Sequence, residues 1–175
     1  AGSTNSGVDP NFDANIKGAA AAGLKTGVYV YSYATTPEAA QNEANLVLQW
    51  ISNYTVNYPV VFDIEDKCHK NLSNQQLIDI INAFCTTIDA AGYHPMVYSY
   101  KNMFTSKLSI CGWDKWVAQY SSNCDYNNNV CFWQYSSYGK VNGFGSRVDV
   151  NYQYKDYSTL ILSLIHISEP TRQEA

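Results

Sequence analysis

The chain has no apolar run approaching the ~20 residues of a membrane span, and no C-x-x-C pair of the kind that builds structural zinc sites. It carries no G-x-G-x-x-G and no Walker motif, which weakens dinucleotide and nucleotide folds. No signal peptide begins it. Basic residues are few, 11 Lys and Arg against 15 Asp and Glu, giving a net charge of −4 and a pI near 5.2. A nucleic-acid binder needs clustered cations for phosphate contacts, so that class is excluded as well. Five cysteines leave one unpaired, and their connectivity is not readable from spacing. Cys85 falls on the apolar face of an expected helix and reads as a buried free thiol. Cys124 and Cys131 flank an Asn-rich turn and are placed to pair across it in an oxidising compartment. Cys68-His69 is weak as a metal pair, and no metal or cofactor is expected.

What is abundant is tyrosine, with 15 Tyr beside 4 Trp and 6 Phe. These rings offer a flat apolar face and a polar tip, which suits sugars; most must nonetheless be ordinary core or surface aromatics. The 175 residues and 46% hydrophobic content fit one domain with a real core. The strongest local signal is Val60-Val61-Phe62-Asp63-Ile64-Glu65-Asp66. An apolar run after Pro59 reads as a strand buried on both faces. Alternation along a strand points Asp63 and Glu65 the same way, about 6–7 Å apart. Two acids there raise each other's pKa, as a glycosidase requires. An acidic turn at a fraying strand end would give the same letters, and that reading is the commoner one for an isolated Asp-x-Glu.

Strands and helices alternate along the chain. A helix is expected over Asp13–Ala22, closed by Gly23, and then a strand over Gly27–Tyr33. Thr36-Pro37 starts a second helix with Ala40, Ala44, Val47, Leu48 and Ile51 inward. Ser73 and Gln76 form a capping box for a third, whose stripe is Leu77, Ile80, Ile81, Phe84, Ile88 and Ala91, with Gly92 closing it. His94–Tyr98 is a strand. After a short helical stretch, Lys115–Tyr120, Cys131–Tyr135 and Arg147–Val150 read as three more. This pattern implies an α/β fold with a parallel sheet, open or closed into a barrel. Six strands are countable where a barrel needs eight.

The runs Ala21-Ala22-Gly23-Leu24-Lys25-Thr26-Gly27-Val28-Tyr29, Tyr31-Ser32-Tyr33-Ala34, Asp63-Ile64-Glu65 and Ala91-Gly92-Tyr93 resemble the family 25 glycoside hydrolases. So do Val97-Tyr98-Ser99, Trp116-Val117-Ala118-Gln119-Tyr120, Trp133-Gln134-Tyr135-Ser136 and Val148-Asp149-Val150-Asn151. The resemblance covers about residues 1–160. It implies a secreted N-acetylmuramidase, or lysozyme, that cuts the β-1,4 bond between N-acetylmuramic acid and N-acetylglucosamine in peptidoglycan. It also implies an irregular (β/α)5(β)3 TIM-like barrel, a monomer, and action at the bacterial cell wall. By position, Glu65 matches the general acid, Asp63 its partner carboxylate, and Asp149 an active-site acid on the last strand. Tyr31, Tyr33, Tyr98, Tyr120, Trp133 and Gln134 fall where the family lines its sugar groove.

Two departures accompany the likeness. The family's opening strand, with its Asp-x-Ser, is not in the chain. Ala1-Gly2 matches the end of the family's second strand, so a barrel lacking roughly its first two strands is expected. Residues 161–175 lose the pattern, and Ser163 to Arg172 resembles a translated sequencing adapter. That tail is read as non-native or disordered, and His166, Glu169 and Arg172 are given no role. For the isolated chain, glycan binding without robust turnover is the expectation; a chitinase-like hydrolase is the rival enzyme. The sequons at Asn53 and Asn71 are read as chance, since Ser73 serves better as a helix cap.

Overall fold

The computed structural model describes residues 1–157 and 159–161. The expected non-native tail, apart from Ile161, lies outside them. Eight strands form a single sheet. They are β1 (Gly2–Ser3), β2 (Gly7–Val8), β3 (Val28–Tyr31), β4 (Val60–Asp63), β5 (Pro95–Tyr100), β6 (Lys115–Ala118), β7 (Val130–Gly139) and β8 (Val148–Gln153), in the order β2-β1-β3-β4-β5-β6-β7-β8. Pairing is parallel from β1 through β7, while the outer pairs β1/β2 and β7/β8 are antiparallel. The sheet does not close: among the described residues β2 pairs only with β1 and β8 only with β7. The α/β fold and the mostly parallel sheet are as expected, and among the described residues the sheet stays open rather than closed into a barrel. The count of six strands missed β1 and β2, which are two residues each and too short to show a period.

Four helices connect the strands: α1 (Phe12–Ala21), α2 (Pro37–Ile51), α3 (Asn74–Ala90) and α4 (Lys101–Ser106). Their ends follow the sequence signals. The Thr36 hydroxyl accepts from the Ala39 N–H at 3.2 Å with Pro37 at the first turn. Ser73 and Gln76 make the reciprocal capping box. Gly23 and Gly92, with φ of 71° and 85°, end α1 and α3 in the left-handed region that favours glycine.

The larger part of the core lies between the sheet and α2 and α3. Val30, Val60, Phe62, Ile64, Val97 and Val117 leave one sheet face to meet Ala40, Ala44, Val47 and Ile51 of α2 and the Leu77–Ile88 stripe of α3. Phe62 and Phe84 stack with centroids 4.3 Å apart. Leu48 is only half-buried and Ala91 is exposed, since each sits at the margin of its stripe. A second cluster fills the other face near the strand N-termini, with Val61, Met96 and Tyr157 buried there. It is tied down by Asp114, which accepts from His94 Nε2 (2.8 Å), Lys155 Nζ (2.6 Å) and Tyr157 OH (2.7 Å).

All five cysteines are free thiols. Cys85 is fully buried on α3, as its helix position implied. Cys124 and Cys131 do not pair. Cys124 turns to the Tyr126 carbonyl at 3.3 Å and Cys131 to the Asn129 carbonyl at 3.7 Å. Asn129 is the one non-glycine residue with positive φ among the described residues; it kinks the chain between the two thiols.

Candidate active site

Parallel register sets the site. Tyr31, Asp63 and Tyr98 stand opposite one another on β3, β4 and β5, and Trp116 on β6 faces Tyr98. All lie on the sheet face turned away from α2 and α3. Alternation leaves Phe62 in the core and sends Asp63 to the opposite side; just past the end of β4 the Ile64 N–H still donates to the Tyr98 carbonyl at 3.0 Å, which keeps Ile64 in the core and Glu65 beside Asp63 in the cleft. Gln134 of β7 and Asp149 of β8 complete a cleft of about 250 Å³ at the C-terminal ends of the parallel strands. That end of a parallel α/β sheet is where its active sites lie.

The acids differ in depth. Asp63 is 6% exposed, and its Oδ1 is buried with no hydrogen-bond partner among the described residues. Burial, with the neighbouring Glu65 charge second, pushes its pKa up to about 8. Glu65 is more open. Burial raises it too, a hydrogen bond from Tyr100 lowers it, and Asp66 raises it again. Its Oε2 is likewise buried and unpartnered. Asp66 lies outside the pair. Its carboxylate takes the Cys68 N–H at 2.8 Å and the Tyr31 hydroxyl at 3.2 Å, and its pKa falls mainly through that Cys68 contact. Both carboxyls therefore hold a proton more readily than in water, and both line the aromatic cleft with an oxygen that has no hydrogen-bond partner among the described residues.

The rings are held in place. Tyr98 and Tyr120 both donate to Gln134 Oε1, at 2.8 and 3.1 Å. Trp116 donates to Asn151 at 2.8 Å and packs edge-on to Tyr98. A buried carboxylate on α2 fixes the end of β3: Glu43 accepts from Ser32 Oγ (2.7 Å), the Tyr33 N–H (3.0 Å) and Thr4 Oγ1 (3.1 Å). His69 Nε2 pairs with the Ala34 carbonyl at 3.0 Å in the same region. Among the described residues, no group of three or more His, Cys, Asp or Glu side chains is placed to hold a metal ion.

The structure therefore brings together Tyr31, Asp63, Glu65, Tyr98, Gln134 and Asp149. Tyr120 joins them through Gln134 at the rim. Tyr33 does not line this cleft. β3 ends at Tyr31, so alternation no longer governs Tyr33; its ring packs on Tyr31 at 5.2 Å and borders a separate cavity beneath β1 and α1. Trp133 is also elsewhere. It neighbours Gln134 on one strand and so takes the opposite face, where it is buried against Tyr152 and donates to the Gln119 carbonyl at 2.8 Å. Sequence reasoning missed Tyr29, Trp116 and Glu43. Tyr29 was findable two residues before Tyr31, and Trp116 by its position in strand β6. Nothing local marks Glu43.

A profile of the Glycosyl hydrolases family 25 matches residues 1–144. The autolytic lysozyme of Clostridium acetobutylicum is 28% identical over 146 residues, which is 82% of this chain and 44% of that protein. The autolysin LytC of Streptococcus pneumoniae superposes with a TM-score of 0.77 at 30% identity, over 86% of this chain and 38% of its own. A lysozyme from Streptomyces coelicolor gives a TM-score of 0.74 at 25% identity, over 96% and 84% respectively. The chain spans about half the length of the curated relatives it matches, 53% and 44% of them. With the match over residues 1–144 and this shared fold, the chain belongs to the family 25 glycosyl hydrolases.

Proposed function

We propose that this chain is the catalytic wall of an N-acetylmuramidase that hydrolyses the β-1,4 bond between N-acetylmuramic acid and N-acetylglucosamine in peptidoglycan. The observation that carries the reading is the Asp63–Glu65 pair, two carboxyls with raised pKa and unpartnered oxygens in a tyrosine-lined cleft. LytC has been seen in complex with a synthetic peptidoglycan ligand, which supports the same substrate class here.

Glu65 is the general acid and gives its proton to the leaving glycosidic oxygen. Burial favours the protonated form of Asp63. A sugar whose acetamide N–H is donated to Asp63 favours the ionised form there and leaves the proton to Glu65. Asp63 then steadies the acetamido group as its oxygen attacks the anomeric carbon, the substrate-assisted route. Direct attack needs carboxyls on opposite sides of the bond, whereas these two project from one strand face. Asp149 holds water or a sugar substituent at the far wall. Residues 1–160 form one catalytic unit, read as the wall of an irregular barrel, that acts as a monomer at the bacterial cell wall. Zymography tests the substrate: gels containing cell walls should clear, gels containing chitin should not, and Glu65→Gln should clear neither.

One observation favours a second reading. The sheet is open between β2 and β8, so Asp149 is exposed and the cleft lacks a wall on that side. On this second reading the chain binds glycan without turning it over. Calorimetry with a peptidoglycan fragment, showing heat of binding and no product, would identify that case.

A further inference from the structure

The hairpin joining β7 to β8 carries chemistry that the acid pair does not use. β7 runs parallel to β6, so its C-terminal end rises at the cleft mouth, and the second residue of β8 is Asp149, itself in the cleft. The ladder ends at Gly139 opposite Val148, and residues 140–147 project beyond it around a concavity of about 360 Å³. The charge here is opposite to that of the whole. Residues 136–154 contain Lys140, Arg147 and Asp149 as their only charged side chains, a net +1 in a chain of net −4.

Neither cation has an acidic partner: among the described residues no ion pair involves Lys140 or Arg147. Arg147 is instead held by an aromatic face, its guanidinium carbon 4.2 Å from the centre of the Tyr138 ring. Such a contact fixes the plane of the guanidinium and leaves its N–H edge free. A planar fork with free donors matches a carboxylate in two-point geometry. Arg147 immediately precedes β8 and lies two residues before Asp149, a separation of about 6–7 Å along an extended backbone.

We propose that Tyr138, Lys140 and Arg147 form a rim subsite that binds a carboxylate of the peptide stem borne by the glycan in the cleft. The inference rests on the peptidoglycan reading and adds a specificity to it: the chain prefers strands that carry stems over bare glycan. Arg147 supplies the two-point contact, Tyr138 pre-orients it, and Lys140 adds a second, less directional charge. The surface is placed to select substrate, and it takes no part in bond cleavage.

Binding of the full chain to two insoluble ligands tests this, using purified walls whose stems keep their free carboxylates (the stem-bearing walls) and the same walls after carbodiimide and methylamine have turned those carboxylates into neutral amides with the cross-links intact (the stripped walls). The wild-type chain should bind the stem-bearing walls roughly three- to tenfold more tightly, as an exposed charge-assisted contact allows, and added salt should erase the difference. Lys140→Ala/Arg147→Ala should bind both ligands equally, at the wild-type level for stripped walls, with an unchanged melting temperature. Arg147→Lys should keep part of the preference, because charge survives where the fork does not. A double variant that still prefers stems, or a wild type indifferent to them, overturns the subsite. A wild type that binds neither ligand overturns the glycan reading itself.

Discussion

Asp63 is the residue on which burial and function pull against each other. Its folded pKa of about 8 lies above the ordinary 3.8, so the folded state holds a proton that the unfolded chain releases near pH 4. Stability from this group is therefore full below about pH 4 and is lost as pH rises through 8. Between pH 5 and 8 the loss is of order 3 kcal/mol. Asp63→Asn cannot ionise and should remove that slope. Urea unfolding at pH 5 and pH 8 should show the wild type weaker at the higher pH and the variant much less so. An equal slope in both proteins would mean that the carboxyl is solvated. The pair itself was legible, because one apolar run and period two suffice to place Asp63 and Glu65 side by side. Their unequal depth was not legible, since it depends on Tyr98 and Trp116, which arrive from strands 35 and 53 residues beyond Asp63.

At the scale of elements, the signals read best were those written within a few residues. The Ser73 capping box, the Thr36-Pro37 start and the closing glycines all appear where the sequence put them. Ser73→Ala should cost about 1 kcal/mol, the usual value of a lost cap, read as a lower denaturant midpoint. What stayed hidden was built from distant residues. Glu43 gathers Thr4, Ser32 and Tyr33, and Asp114 gathers His94, Lys155 and Tyr157. Trp133 and Tyr33 show a different failure: adjacent strand residues cannot share a face, and past the end of β3 the Tyr33 N–H is drawn off to Glu43 on α2. The Asp114 knot makes a sharp test. Burial would raise its pKa, but the contacts from His94, Lys155 and Tyr157 outweigh that and hold it well below the ordinary carboxylate range. Its contribution is present above about pH 4 and lost as pH falls below it. Asp114→Ala leaves the buried Tyr157 hydroxyl without its acceptor and should cost about 2–3 kcal/mol. Hydrogen exchange should then speed up at the start of β5 and in residues 153–157 before it does in α3.

For the whole molecule, the governing feature is an open sheet with its cleft at one end. The α2–α3 side is sealed by a continuous apolar core, whereas the cleft side is bounded by β2 and β8, whose outer edges are unpaired among the described residues. Free edges template association, so self-association at high concentration should be suppressed by a charge such as Tyr152→Lys on β8, measured by light scattering. The open side also decides how far the chain can work, because Asp149 stands in water where an enclosed site would shield it. The acid pair is complete even so, and both carboxyls project into the space between Tyr31, Tyr98 and Gln134. The most direct test is mass spectrometry of soluble fragments released from purified cell walls and reduced with borohydride. The wild-type chain should yield fragments ending in reduced N-acetylmuramic acid, and Glu65→Gln should cut their yield by about 100-fold or more. Fragments ending in reduced glucosamine, equal yields from the two proteins, or no release by the wild type would contradict Glu65 as the acid of a working muramidase.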